Sequence, residues 1–268
     1  MAYPQTFTDQ LSRQILLAKA PQRIISLVPS QTELLFDLGL ADKIVGVTKF
    51  CVHPANLVKE KVKIGGTKNF NFEIIRDLKP DLIIGNKEEN YPEGIQALAQ
   101  DYPVWVSDIF MLADALAMME NIALLTETSE AAAKIIQNIK EGFAQLKPGP
   151  FIPAAYFIWR NPYMSVGHNT FIHEMMAAAG FQNIFGSLNR YPIITPDDLQ
   201  SASPKVVFLS SEPYPFKEKH LREIQEILPQ ALVTLVDGEL FSWYGSRLQQ
   251  TPPFLQYLRK ELEASLLN

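Results

Sequence analysis

At 268 residues, with 47% of them hydrophobic, 20% charged and a formal net charge of −5, the chain has the balance of a globular protein, with material for one large core or two ordinary ones. That composition excludes intrinsic disorder, and an acidic chain without a Lys/Arg-rich block lacks the electrostatic footprint of a nucleic-acid binder. The single cysteine, Cys51, excludes an intramolecular disulfide, and no uncharged apolar run is long enough to span a bilayer.

Taken in chain order, Met1-Ala2-Tyr3-Pro4-Gln5-Thr6 has neither the basic nor the apolar region of an export leader. A cytoplasmic location is therefore expected if Met1 is the natural start. Arg23 to Val28 is a short β-branched run, and Ser30-Gln31-Thr32-Glu33 has the pattern of a capping box ahead of Leu34-Leu35-Phe36, which predicts strand, turn, helix. Val45 to Thr48 follows as a strand, Glu73 to Leu78 as a helix, Asp81 to Gly85 as a buried strand, Gly94 to Ala99 as a helix and Val104 to Ser107 as a strand.

From Leu112 to Leu146 the only Gly or Pro is Gly142, and apolar residues recur at helical spacing. Thr126-Glu127-Thr128-Ser129-Glu130 interrupts with capping residues, so two helices are expected. The second, from about Ser129 to Leu146, would be ~27 Å long at ~1.5 Å per residue. Lys147-Pro148-Gly149-Pro150 ends it. Then the earlier order returns: Ala155 to Trp159 as strand, Thr170 to Ala179 as helix, Val206 to Leu209 as strand, Glu218 to Ile227 as helix, Leu232 to Val236 as strand. Strands alternating with helices predict an α/β fold with mainly parallel, doubly wound sheets.

The two halves also share spaced residues. Thr32, Gly39 and Gly46 are echoed by Thr170, Gly180 and Gly186 at offsets of 138, 141 and 140. Lys79-Pro80-Asp81-Leu82-Ile83-Ile84 is echoed by Ser203-Pro204-Lys205-Val206-Val207-Phe208 at an offset of 124, and Glu73 by Asp197. The period is too long for a solenoid and points to two similar lobes. The expected layout is an N-terminal lobe over 1–127, a connecting helix over 128–147 and a C-terminal lobe over 148–268, with two Rossmann-like lobes joined by a long rigid α-helix. The long helix could equally be a packing helix inside one domain; its place between the two halves of the repeat favours a connector.

Ligands of open parallel sheets gather beyond the carboxyl ends of the strands, and a two-lobed chain offers the space between its lobes. The strand-end loops carry Phe50, Cys51, His53, Lys68 and Glu88 in the first half and Trp159, Arg160, Tyr163, Tyr214, Trp243, Tyr244 and Arg247 in the second. Aromatic faces with a few cationic heads suit a bulky small molecule, part apolar and part polar. The plainer alternatives are that Trp159 and Trp243 seal core, that Arg160 and Arg247 tie loops to carbonyls, and that Glu88 and Glu212 cap helices. Cys51 and His53 could ligate a soft metal or form a nucleophile pair. However, His168, His173 and His220 lack metal-ligand spacing, so no protein metal site and no intrinsic cofactor are expected. Hydrolase, phosphate-loop and dinucleotide fingerprints are absent from the sequence.

Arg23-Ile24-Ile25-Ser26-Leu27-Val28-Pro29-Ser30-Gln31-Thr32-Glu33, Val45-Gly46-Val47-Thr48, Asn71-Phe72-Glu73 ahead of Lys79-Pro80-Asp81-Leu82-Ile83-Ile84, and the late Arg247 together resemble the cobalamin and iron-siderophore substrate-binding proteins of ABC importers, closest to the cobalamin-binding branch. The resemblance implies a monomeric, non-catalytic protein outside the cytoplasm. It would clasp a metal chelate, corrinoid or ferric siderophore, between two lobes with little closure. Glu73 and Asp197 fall at the positions where the family docks its permease, Asp197 being one methylene shorter than the usual Glu. The rival expectation is a cytoplasmic enzyme or chelate-handling protein on the same fold that uses Cys51.

Overall fold

The computed structural model describes residues 3–267. It is an α/β molecule with two sheet-bearing lobes connected by long helices, Leu112–Thr126 and Ser129–Ala144. One unit contains the chain up to Ile109, Ala113–Asn138 and Tyr244–Arg247; the other contains Phe110–Leu112, Ile139–Trp243 and the chain from Leu248. The Ser129–Ala144 helix is thus shared between the two units.

In the first unit five parallel strands run in the order Val62–Lys63, Ile44–Val47, Ile24–Ser26, Leu82–Asn86, Val104–Ser107. The three strands at Ile24, Leu82 and Val104 are buried along their whole length. This is why they read as continuous apolar runs: helices cover both faces of a parallel sheet, so alternation is lost. In the second unit Ile152–Trp159 is central, parallel to Val206–Ser210 and to Phe181–Asn183, with Leu232–Val236 beyond Val206–Ser210 and the short Met164–Ser165 antiparallel on the far side.

The repeat seen in sequence is a repeat of backbone. Asn71 and Thr195 each cap a seven-residue helix, Phe72–Leu78 and Pro196–Ala202, by accepting the N–H of the residue three along. Both helices stop on a left-handed residue, Lys79 and Ser203, each at φ 46° and ψ 59°. Each is followed by a fully buried five-residue strand, Leu82–Asn86 or Val206–Ser210. Upstream, Gly39 at φ 79° and Gly180 at φ 77° turn the chain after the helices Pro29–Asp37 and Phe171–Ala178. The offset drops between these two landmarks because the first lobe inserts Ile44–Val47, Val62–Lys63 and the Gly65–Phe70 hairpin there, where the second has only Phe181–Asn183.

One local expectation fails. The Ser30 capping box does not form: Val28 is the N-cap, Pro29 occupies the first turn and no side chain caps the end. Proline has no N–H to satisfy and its fixed φ already suits a helix start, so the cap is not needed. Thr32 Oγ1 instead sits 2.8 Å from the Val28 carbonyl and 2.7 Å from Ser26 Oγ. Short elements with little apolar pattern, such as the N-terminal hairpin Gln5–Thr8/Gln14–Leu17, were not expected from periodicity.

The two turn glycines separate backbone strain from crowding. A Cβ on Gly39 would meet nothing within 4 Å, whereas one on Gly180 would strike the Pro148 carbonyl and the Arg259 guanidinium. Gly39→Ala should cost about 1–2 kcal/mol, the strain of a side chain at positive φ. Gly180→Ala should cost roughly 1–3 kcal/mol more from overpacking. Urea unfolding of the two variants checks the order.

Candidate functional site

In the first lobe the strand-end loops hang from buried amides and hydroxyls. Asn86, the last residue of its strand, accepts the N–H of Glu88 at 2.8 Å and of Glu89 at 3.0 Å, and donates to Ser107 Oγ at 3.0 Å. Asn90 accepts the Asn86 N–H and donates to the carbonyls of Leu27 and Thr67. Gln31, fully buried on the Pro29–Asp37 helix, donates to Ser107 Oγ at 2.5 Å. The loop carrying Glu88 is thereby held to the hairpin tip carrying Lys68, whose Nζ donates to the Glu88 carbonyl at 2.5 Å. Lys68 and Glu88 were expected at the site from the sequence, whereas Asn86, Asn90, Gln31 and Ser107, which hold the loops, were not singled out for a role. The usable signal was two asparagines four apart directly after a buried strand.

Phe50 is 52% exposed, with Lys49 Nζ 5.0 Å from its ring centroid. Cys51, next to it, is buried at 2% exposure, its Sγ 3.1 Å from Thr32 Oγ1 and 3.2 Å from Thr48 Oγ1. Burial pushes its thiol above the ordinary range, against the pull of the two hydroxyls, so it stays a neutral thiol rather than a nucleophile. His53 is half-buried near the Glu33 carboxylate.

Arg247 lies in the first unit as well. Its Nε and Nη2 make a two-pronged pair with Glu33 at 2.9 and 2.7 Å, the side chains 10% and 12% exposed. Beside it Ser246 donates to Asp37, and Gly245 presses on the Ser30 carbonyl where a Cβ has no room. Tyr244, also buried, begins this segment. The two residues quoted from opposite ends of the chain, Glu33 and Arg247, are therefore bonded to each other. Even so, burial lifts the Glu33 carboxyl above its usual range more than Arg247 pulls it down.

The second lobe presents rings and ions. Trp159, 41% exposed at its strand end, meets the Tyr214 ring edge-on at 5.7 Å, and Tyr214 packs on Phe216 at 4.8 Å. Arg160 donates to Glu223 at 2.7 Å, and the Tyr163 hydroxyl donates to the same oxygen at 3.2 Å. Trp243 is buried, and its indole N–H donates to Glu212 at 2.9 Å, as does the Ser242 hydroxyl at 2.7 Å. Glu212 thus binds the loop after Leu232–Val236 rather than capping a helix, and burial raises its carboxyl. Trp159, Arg160, Tyr163 and Tyr214 come together as one cluster; Trp243 belongs to a neighbouring one. Glu223 and His220, which complete the first cluster, lie on the helix that follows it in sequence and carried no loop signal.

Glu73 and Asp197 occupy the same position in the first turn of the two matching helices, exposed and with neither a hydrogen bond nor an ion pair. Asp198, by contrast, is spent on Thr195 as a capping box. Among the described residues there is no group of three or more His, Cys, Asp or Glu side chains placed to hold a metal ion.

Residues 24–236 match the periplasmic binding protein family, and the chain belongs to that family. It is a family of transport substrate-binding proteins, not of catalysts. The vitamin B12-binding protein of Vibrio cholerae is 28% identical over 206 residues, 73% of each chain. Among solved structures, the periplasmic vitamin B12 binding protein BtuF of Vibrio cholerae has a TM-score of 0.77 at 24% identity, covering 91% of this chain and 98% of that one. The periplasmic heme-binding protein RhuT from Roseiflexus sp. RS-1 has a TM-score of 0.79 at 20% identity, covering 90% and 98%. These last two likenesses are of fold.

The Glu33–Arg247 pair gives an asymmetric expectation. Arg247→Ala strands a buried carboxylate and should cost roughly 3–5 kcal/mol. Glu33→Gln leaves the guanidinium without this counter-charge but keeps a neutral acceptor for its N–H groups and should cost less. Chemical denaturation of both variants at neutral pH measures the difference.

Proposed function

We propose that this protein captures a bulky metal chelate outside the cytoplasm and delivers it to an ABC-type permease. The observation that carries the reading is an exposed ring beside a cationic head at the strand ends of each lobe: Phe50 with Lys49 in one, and Trp159, packed on half-buried Tyr214 and followed by Arg160, in the other. Exposed rings on loops are not needed for the cores, which are filled by other side chains, and a flat conjugated macrocycle or a chelate with an apolar rim matches them. Relatives named for vitamin B12 and for haem support the class of ligand. Corrinoid, ferric siderophore and haem all remain within it. In the first lobe Phe50 and Lys68 would touch ligand, with His53 and Glu88 at the margin and buried Cys51 beneath; in the second lobe, taken by itself, Trp159 and Tyr214 would do so, with Arg160 and Tyr163 at the margin and Trp243 buried.

The matched pair Glu73 and Asp197 supports the permease half of the reading, since an unpartnered carboxylate at each helix start is free for a basic partner. Exposed ion pairs contribute only ~0–1 kcal/mol each, so this pair would orient docking more than drive it.

Titration with cyanocobalamin, hemin and a ferric hydroxamate, following the visible band and the melting temperature, is expected to give saturation with at least one. Phe50→Ala and Trp159→Ala should each weaken it by about 1–2 kcal/mol. Saturation by none of the three would overturn the reading. Glu73→Lys with Asp197→Lys should leave that affinity unchanged while reducing uptake at least about tenfold in cells relying on this chain for import, because two repulsions replace two attractions. Undiminished uptake would remove these residues from docking.

A further inference from the structure

We propose that His220 is a positioning residue of the ligand site, one that turns the Tyr214 hydroxyl into a hydrogen-bond donor toward the ligand and makes capture fail in acid. The proposal rests on the reading that the Trp159–Tyr214 cluster contacts ligand.

The argument begins with proton bookkeeping. His220 is 1% exposed and occupies the third position of the Glu218–Ile227 helix. Its Nδ1 lies 2.8 Å from the backbone N–H of Lys217, at the helix N-cap. A backbone N–H can only donate, so Nδ1 must be an acceptor and carries no hydrogen. A neutral imidazole has one ring hydrogen, which is therefore on Nε2. Nε2 lies 3.3 Å from Tyr214 Oη. The ring thus donates to the phenol oxygen, and the phenol's own hydrogen is left to point elsewhere. In the usual reciprocal cap this place is filled by Glu or Gln, which can accept the N-cap N–H but would present a carboxylate or a flexible amide to the tyrosine.

Packing fixes the rest of the chain of contacts. His220 stands edge-on to Phe216 at 5.4 Å, Tyr214 lies between Phe216 and Trp159, and Trp159 is the exposed end of the series. A backbone amide thereby sets an imidazole, the imidazole sets a phenol, and the phenol braces an exposed indole.

The same bookkeeping forbids the imidazolium. With both nitrogens protonated, Nδ1–H would face the Lys217 N–H, so the helix cap must open; Nε2–H can still donate to Tyr214, and that brace is disturbed as the ring moves to relieve the facing hydrogens. The charges around the ring are Lys217 at the cap, Lys219 and Glu223 on its own helix, and Arg160 from the loop beyond the Ile152–Trp159 strand; Tyr214 is the other titratable neighbour. Burial is the largest influence and disfavours the cation; of the charges only Glu223 favours it, and Glu223 is held by Arg160 and Tyr163. A histidine lowered in this way supports the folded cluster above its ordinary value of about 6.5, and that support is lost as pH falls from there.

Nitrogen-detected NMR of the ligand-free protein should show His220 as the Nε2–H tautomer, titrating below the free-histidine range. An Nδ1–H tautomer, or titration at or above that range, overturns the proposal without any ligand. His220→Asn keeps an acceptor for the Lys217 N–H but cannot reach Tyr214. It should lower affinity for whichever of cyanocobalamin or hemin binds by roughly 3- to 10-fold, the worth of one oriented hydrogen bond. Tyr214→Phe should do the same, and the double variant no more than either. Wild-type affinity should fall as the pH is lowered from about 6.5 through the His220 titration that the NMR records, while that of His220→Asn stays level. If the wild type binds neither probe nor the ferric hydroxamate, the ligand reading fails and takes this one with it. If it binds and His220→Asn matches it both above and below that titration, only the role of His220 is lost.

Discussion

Within a parallel sheet covered on both faces the backbone is paired strand to strand, and where a buried strand ends and its loop begins the polar groups need other partners. In this molecule side chains meet that demand. Asn86, Asn90, Gln31 and Ser107 do it in the first lobe. In the second, Tyr156 donates to Ser210, Ser210 accepts the Glu212 N–H, and Glu212 in turn receives Ser242 and Trp243. An orphaned amide in such a place costs about 1–3 kcal/mol, so each network is fixed by stability before any ligand arrives. The exposed rings and cations are carried on loops whose roots are hydrogen-bonded into the core.

The duplicated frame and the unequal chemistry follow from different parts of the repeat. Where the two halves match residue for residue, in the caps Asn71 and Thr195 and the left-handed stops Lys79 and Ser203, the constraint is backbone geometry, and few side chains satisfy it. Where the halves differ, between each glycine turn and the capped helix, the constraint is only that the ends meet. Loop closure is tolerant of length, so the first lobe can hold one more strand and a hairpin there. Glu73 and Asp197 fall in the matched part. They inherit equivalent places on their two helices whatever the loops do.

The same distinction explains what could be read from the sequence. The strands, the helices between them and the repeat were legible because burial on both faces writes apolar runs and caps write Asn, Thr and Pro at set distances. The aromatic ends Phe50, Trp159 and Tyr214 were legible as large apolar residues on loops. Other assignments needed three dimensions. Arg247 and Glu33 stand far apart in the chain, and nothing local says that they pair. Trp243 has the same composition signal as Trp159 but is buried with its N–H on Glu212. The Ser30 capping box matched a pattern whose physical need had been removed by the proline before it.

Glu33 and Glu212 show how far a shared environment can be met by unlike means. Both carboxylates are half-buried on the segments that follow a strand's carboxyl end, and their desolvation raises both. Glu33 is answered by a guanidinium, which returns charge for charge in two parallel bonds and ties in Tyr244–Arg247, the stretch of late chain that belongs to the first unit. Glu212 is answered by a hydroxyl and an indole, neutral donors that orient it without cancelling its charge, while Glu239 and Asp237 add to the upward push. Two neutral hydrogen bonds stabilise an ion less than one bidentate cation does. The first lobe has therefore used its buried acid to fasten chain, and the second has kept its buried acid electrically unbalanced beside the aromatic loops. Similar sheets and caps dictate where such groups must stand; they leave open which partner each one meets, and that choice gives two copies of one frame two different surfaces.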